Sequence, residues 1–167
     1  MQAWSTYFAT IGAASATLLG LLFVAVSVNA SAALGAGDRL TRDLTEQAFQ
    51  NYLAIMLVSL LALFPDLPTR LFGLICLLSV AVRAIWLATR LVRTVRHRGP
   101  RQSLILALRR HLAAVVGFGL LLVATTRMAL DWGENFNTLA AATLVLLISA
   151  TSVSWELLRR IANPGAA

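Results

Sequence analysis

Lysine is missing from this sequence altogether: all fourteen basic side chains are arginine, set against seven acidic residues and two histidines. So few carboxylates and imidazoles leave little from which to build acid–base or metal chemistry. Cys76 is the one cysteine and lies inside an apolar run, so the chain forms no intramolecular disulfide and holds no redox pair. Charged residues make up 13% of 167 positions, roughly half the share usual in soluble globular domains. Period-two alternation is also missing. The apolar segments are far longer than barrel strands, which excludes a transmembrane β-barrel.

What is present is apolar surface, with 59% hydrophobic residues gathered into long runs between short segments that carry nearly every charge. Runs able to cross about 30 Å of hydrocarbon define a polytopic membrane protein. We read five spans, residues 4–33, 46–64, 69–93, 112–130 and 136–158, in one transmembrane domain covering 1–167. The fold class expected is all-α, a membrane helical bundle. Ala30-Ser31-Ala32 resembles a signal cleavage site, but no basic segment precedes it and the apolar run is too long, so the first span reads as retained.

The breaks between spans have local causes. Gly35 and Gly37 close the first span, and a polar connection follows with Asp38, Arg39, Arg42 and Asp43. Thr45 is the expected N-cap of the second helix. Pro65-Asp66-Leu67-Pro68 makes a tight turn, and Gly99-Pro100 stops the third helix. Ser103 to His111 reads as a separate amphipathic stretch before the fourth span, and Asp131 to Asn135 as the turn into the fifth.

Orientation follows from the arginines. With the N-terminus outside and the C-terminus cytoplasmic, eleven lie on the cytoplasmic side (Arg39, Arg42, Arg90, Arg93, Arg96, Arg98, Arg101, Arg109, Arg110, Arg159 and Arg160) and two, Arg70 and Arg127, at outer ends. Trp4, Tyr7 and Trp132 then fall near the outer interface, and Trp86 and Trp155 near the inner one.

Three stripes carry the candidate functional residues. On the first helix, Gly12, Ala16, Gly20, Ser27 and Ser31 share a small-residue face that suits close helix packing or a water-lined pore wall. On the third, Arg83 lies too deep for the topology rule to explain. Trp86, three residues away, is its expected aromatic neighbour. On the fifth, Ser149, Ser152 and Glu156 line one face, and Glu156 is the expected ion-pair partner of Arg83 or Arg90. Glu46 and Asn51 near the inner end of the second helix join them, with Gln47, in an intramembrane polar cluster. Such a cluster is either glue that sets helix register or an ion or proton path. Arg127 and Asp131 read as a local i,i+4 pair.

The basic loop holds Arg93, Arg96, Arg98, Arg101, Arg109 and Arg110, a set fit to contact anionic lipid headgroups on the cytoplasmic side. This placement accounts for the net charge of +7 without nucleic acid. His97 and His111 lack partners at ligand spacing, so no metal or other cofactor is expected. No serine-hydrolase elbow, zinc-protease motif, phosphate-cradling loop or paired intramembrane carboxylates occur, so no catalytic residue is assigned and the chain reads as non-enzymatic.

Gly20-Leu-Leu-Phe-Val-Ala-Val-Ser-Val-Asn29, preceded by the Gly12 to Ala16 string and by Trp4, resembles the start of small uncharacterised bacterial multi-pass membrane proteins. The resemblance covers about a fifth of the chain and implies a bacterial inner (cytoplasmic) membrane setting; it transfers no activity. Three functional readings follow: a homo-oligomeric channel-like or pore-forming protein, a membrane subunit that binds and regulates another membrane protein, and a small transporter. The partners expected are membrane lipids and either copies of the chain or another membrane protein.

Overall fold

A computed structural model describes residues 2–29, 39–97, 101–133 and 135–162, with side chains described in 4–29, 41–83, 114–133 and 135–161. Among the described residues there are five helices and no strand: α1 (Gln2–Val28), α2 (Arg39–Ala62), α3 (Thr69–His97), α4 (Arg101–Ala129) and α5 (Phe136–Ala162). Trp4–Val28 and Phe136–Ile161 are each long and apolar enough to cross a membrane, and Ala114–Ala129 is a shorter apolar stretch.

Two helices start earlier than the sequence pattern indicates. α2 begins at Arg39, so Arg39, Arg42 and Asp43 are helical rather than part of a connection. Thr45 is therefore no cap. It is buried one turn into the helix and donates to the Thr41 carbonyl at 2.9 Å. Likewise α4 runs unbroken from Arg101, so the stretch from Ser103 to His111 is continuous with the span that follows. Polar residues at a helix end do not stop it when nothing removes a backbone donor, and neither stretch contains proline or glycine.

The ends with local punctuation are clear. After α1, Asn29 bonds the Ala25 carbonyl through both its backbone N–H (3.3 Å) and its Nδ2 (3.0 Å). Between α2 and α3, Asp66 adopts a left-handed φ of 57° and the Pro68 carbonyl accepts the first bond of α3 from Phe72. α4 closes with a paired C-terminal motif. The Trp132 N–H bonds the Arg127 carbonyl at 2.9 Å and the Asp131 N–H bonds that of Met128 at 3.2 Å, with Asp131 at φ 60°. Arg127 thus gives this corner its carbonyl, and Asp131 its left-handed backbone. Asn135 then stands at the N-cap of α5, its carbonyl accepting from Leu139 at 3.0 Å.

The chain divides into two compact units. The first comprises residues 1–63 and 146–167, that is α1, α2 and the later part of α5. Its core joins Leu22, Leu44, Ala48, Tyr52, Ala150, Val153 and Leu157. The second comprises residues 64–145, with α3, α4 and the first part of α5. There α3 presents Phe72, Gly73, Cys76 and Val80 as a buried stripe, and α4 buries Ala114, Leu121, Ala124, Thr125 and Met128.

Candidate functional site

The first unit carries a polar seam between α2 and α5. Tyr52 is buried in the core, and its hydroxyl donates to Thr151 Oγ1 and accepts from Ser154 Oγ, both at 3.4 Å. Those lengths exceed the usual range for hydroxyl pairs, so the two bonds are weak. Thr151 itself donates to the Leu147 carbonyl at 2.9 Å, which links the seam to the α5 backbone. Beside Tyr52, Asn51 is 2% exposed, and Ser149 on α5 is also 2% exposed. Asn51 Nδ2 and Ser149 Oγ, together with Gln47 Nε2 and Ser59 Oγ, are buried without a protein hydrogen-bond partner.

The remaining cluster residues lie nearer the surface. Glu46 Oε1 accepts from Gln50 Nε2 at 3.3 Å, a contact within one turn of α2. Ser152 is exposed and donates to its own helix at the Ile148 carbonyl, 2.9 Å away. Glu156 takes Arg160 Nε at 3.0 Å, one turn along α5. A same-helix arginine needs only a rotamer choice to reach it, whereas a partner on another helix needs a particular rotation of both helices.

Arg83 and Arg90 belong to the second unit, while Glu46, Asn51, Ser149, Ser152 and Glu156 belong to the first. Arg83 is half-buried, and its Cζ lies 5.0 Å from the Phe118 ring centroid. Phe118 thus gives Arg83 an aromatic contact from α4, and the side chain of Trp86, the neighbour expected, lies outside the described set. The side chains of Arg90, Arg93, Arg96, Arg101, Arg109 and Arg110 fall outside the described set, as does Arg98 entirely.

On α1 the small-residue face is divided between buried and exposed positions. Phe8, Ile11, Ser15 and Leu22 are buried, whereas Ala16, Gly20 and Ser27 are exposed and Ser31 lies outside the described residues. Only Gly12 of the small-residue face packs, with a Cβ placed there falling 3.0 Å from Ser59 Cβ. At Gly20 such a Cβ would meet nothing within 4 Å. A tighter approach lies elsewhere: a Cβ on Gly73 would fall 2.5 Å from the Ala129 backbone nitrogen. Gly73 and Phe118 escape a reading of the sequence. The available signals were a glycine inside a Leu- and Ile-rich run and a phenylalanine set between Gly117 and Gly119.

Among the described residues no group of three or more His, Cys, Asp or Glu is placed to hold a metal ion. Comparison with family models, with curated proteins and with solved structures returns no match.

Proposed function

We propose that the chain is a five-span protein of a bacterial cytoplasmic membrane that assembles with copies of itself into a channel-like oligomer. The N-terminus is outside, and the arginine-rich segment from Arg93 to Arg110, at the end of α3 and the start of α4, lies against anionic headgroups on the cytoplasmic side. Length supports five spans. The shortest helix has 24 residues, about 36 Å at the α-helical rise, against roughly 30 Å of hydrocarbon. Polarity supports them too. Large apolar side chains point outward on every helix, among them Phe23, Leu60, Leu78, Val123 and Ile148, while Ser15, Asn51, Ser59, Thr125 and Thr143 are buried. A water-soluble domain seldom exposes so many large apolar side chains on every helix, and lipid is the solvent that favours such a surface.

The observation that carries the oligomer is the outward small-residue face of α1. Ala9, Ala13, Ala16, Thr17 and Gly20 are exposed. Thr10 and Thr17 return their hydroxyls to the Thr6 and Ala13 carbonyls at 2.8 and 2.9 Å. Such a face lets backbones approach closely in lipid and is complementary to a second copy of itself. Native mass measurement in lipid discs tests the assembly: a closed ring is expected for the native chain, and Gly20→Leu with Ala16→Leu is expected to dissociate it. Reconstituted native protein is expected to conduct ions across liposomes, and the double variant to be silent. A monomer in lipid, or no conductance at any voltage or pH, overturns the reading. A complex that forms only with a different membrane protein supports a regulatory subunit instead.

A further inference from the structure

Between Asp66 and Asp131 the chain carries ten arginines and no acidic residue, and that stretch makes α3 and α4. Arg83 stands apart from the other arginines of α3, two turns short of Arg90 or about 10 Å along the helix. Its level is set by the helix contact. Gly73 lies against Ala129, and Arg83 and Phe118 each stand about 16 Å from that contact along their antiparallel helices. The guanidinium therefore reaches sideways to α4, where its Cζ lies 5.0 Å from the Phe118 ring centroid. An aromatic face offsets only part of the cost of a charge at that depth. The pair also sits on a border. One turn from Arg83, Val80 is buried and Ser79 exposed; one turn from Phe118, Leu121 is buried and Val115 and Leu122 are exposed. Arg83 and Phe118 are themselves half-buried, at the edge of the α3–α4 contact.

We infer that Arg83, held at Phe118, seats the phosphodiester headgroup of an anionic phospholipid of the cytoplasmic leaflet, drawn inward at the edge of the α3–α4 contact. The inference rests on the membrane reading above and is independent of the oligomer. Charge selects the ligand class, because the second unit carries an excess of positive charge along its helices. The planar guanidinium offers paired N–H donors that match two phosphate oxygens. Its surroundings select the source. A free phosphate gains nothing from exposed Val115 and Leu122, whereas a phospholipid lays its acyl chains on them. Basic recesses between membrane helices on the cytoplasmic side bind headgroups in this way, and an arginine below the surface thins the bilayer around itself.

Full-length protein taken from mixed phosphatidylethanolamine and phosphatidylglycerol vesicles into mild detergent, with retained lipid counted by native mass spectrometry, tests the seat. The native chain is expected to keep a phosphatidylglycerol that survives further washing. Arg83→Gln is expected to lose it, binding about tenfold more weakly or worse, while Arg70→Gln, with the same change of charge, keeps it. Arg83→Lys preserves the charge and separates a seat from a folding defect: it is expected to keep the lipid more weakly, and retention equal to that of the native chain overturns paired recognition by the guanidinium. Equal retention by the native chain and Arg83→Gln, or of both lipids by the native chain, overturns the seat. Stabilisation of the native chain by inorganic phosphate in phosphatidylethanolamine discs, absent in Arg83→Gln, would assign the site to the free ion and overturn lipid as the occupant. A chain that does not float with vesicles overturns the membrane reading and the seat together, whereas one that floats without an Arg83-dependent lipid overturns the seat alone.

Discussion

In the second unit, the buried hydroxyls of Thr125 and Thr143 bond carbonyls of their own helices, Leu121 at 2.8 Å and Ala140 at 2.9 Å. In the first unit, Asn51, Ser59 and Ser149 are as deeply buried and have unpartnered atoms. The glycines differ in the same sense. Gly73 brings α3 against the backbone of α4, while Gly12 meets only the side chain of Ser59. Charge is divided as well, since the second unit has ten arginines and three acidic residues and so carries the whole of the +7. The lesson is physical. A helix pair can be brought into backbone contact when each buried hydroxyl is satisfied within its own helix, and polar groups that point away from their own backbone keep a contact open enough for another donor or acceptor.

The largest effect expected is at the tight contact. Gly73→Ala places its methyl against backbone atoms that cannot rotate away, and is expected to lose about 1–3 kcal/mol in reversible unfolding. Gly12→Ala meets a side-chain atom at 3.0 Å and should lose less. Gly20→Ala has open space and should gain up to about 1 kcal/mol from helix propensity. If Gly12→Ala costs as much as Gly73→Ala, the contrast between the units fails.

Next in size is the Arg83–Phe118 contact. Phe118→Leu keeps an apolar side chain but removes the ring face, with an expected loss of about 1 kcal/mol, whereas Phe118→Trp should retain the interaction. Equal Tm values for the native chain and Phe118→Leu would show that the cation gains nothing from the ring. Asp131→Gly runs the other way. Relief of the left-handed backbone at the end of α4 is expected to stabilise by about 0.5–1 kcal/mol, read in the same unfolding assay.

The smallest effect belongs to the first unit. Glu156 and Arg160 are 38% and 27% exposed, so Glu156→Gln should cost only about 0.3–0.5 kcal/mol, and less in high salt. A loss several times larger, insensitive to salt, would mean that Glu156 has a buried partner beyond its own helix.

Helix content and several helix ends were legible because their causes are local: apolar runs, Pro65 and Pro68, and the turn from Asp131 to Asn135. The early starts of α2 and α4 were less legible, because polar side chains resemble a connection while leaving the backbone bonds intact. Of the candidate polar residues, Asn51 and Ser149 are buried, and Glu46, Ser152 and Glu156 belong to the same unit. Their hydrogen-bond partners were not foreseeable. Tyr52 reaches Thr151 and Ser154 from a position about a hundred residues away in the chain, and no local pattern specifies that pairing.

By itself, then, the sequence determined that this chain is helical, where the turns around Pro65–Pro68 and Asp131–Asn135 fall, and which positions on each helix are small, polar or charged. Only the tertiary structure decided that α1 buries Phe8, Ile11 and Leu22 while leaving Ala16 and Gly20 exposed, that Gly73 lies against the backbone of α4, and that Phe118 faces Arg83. The reason is that helix formation depends on neighbours within four residues, whereas the rotation of one helix against another depends on the summed fit of side chains far apart in the chain.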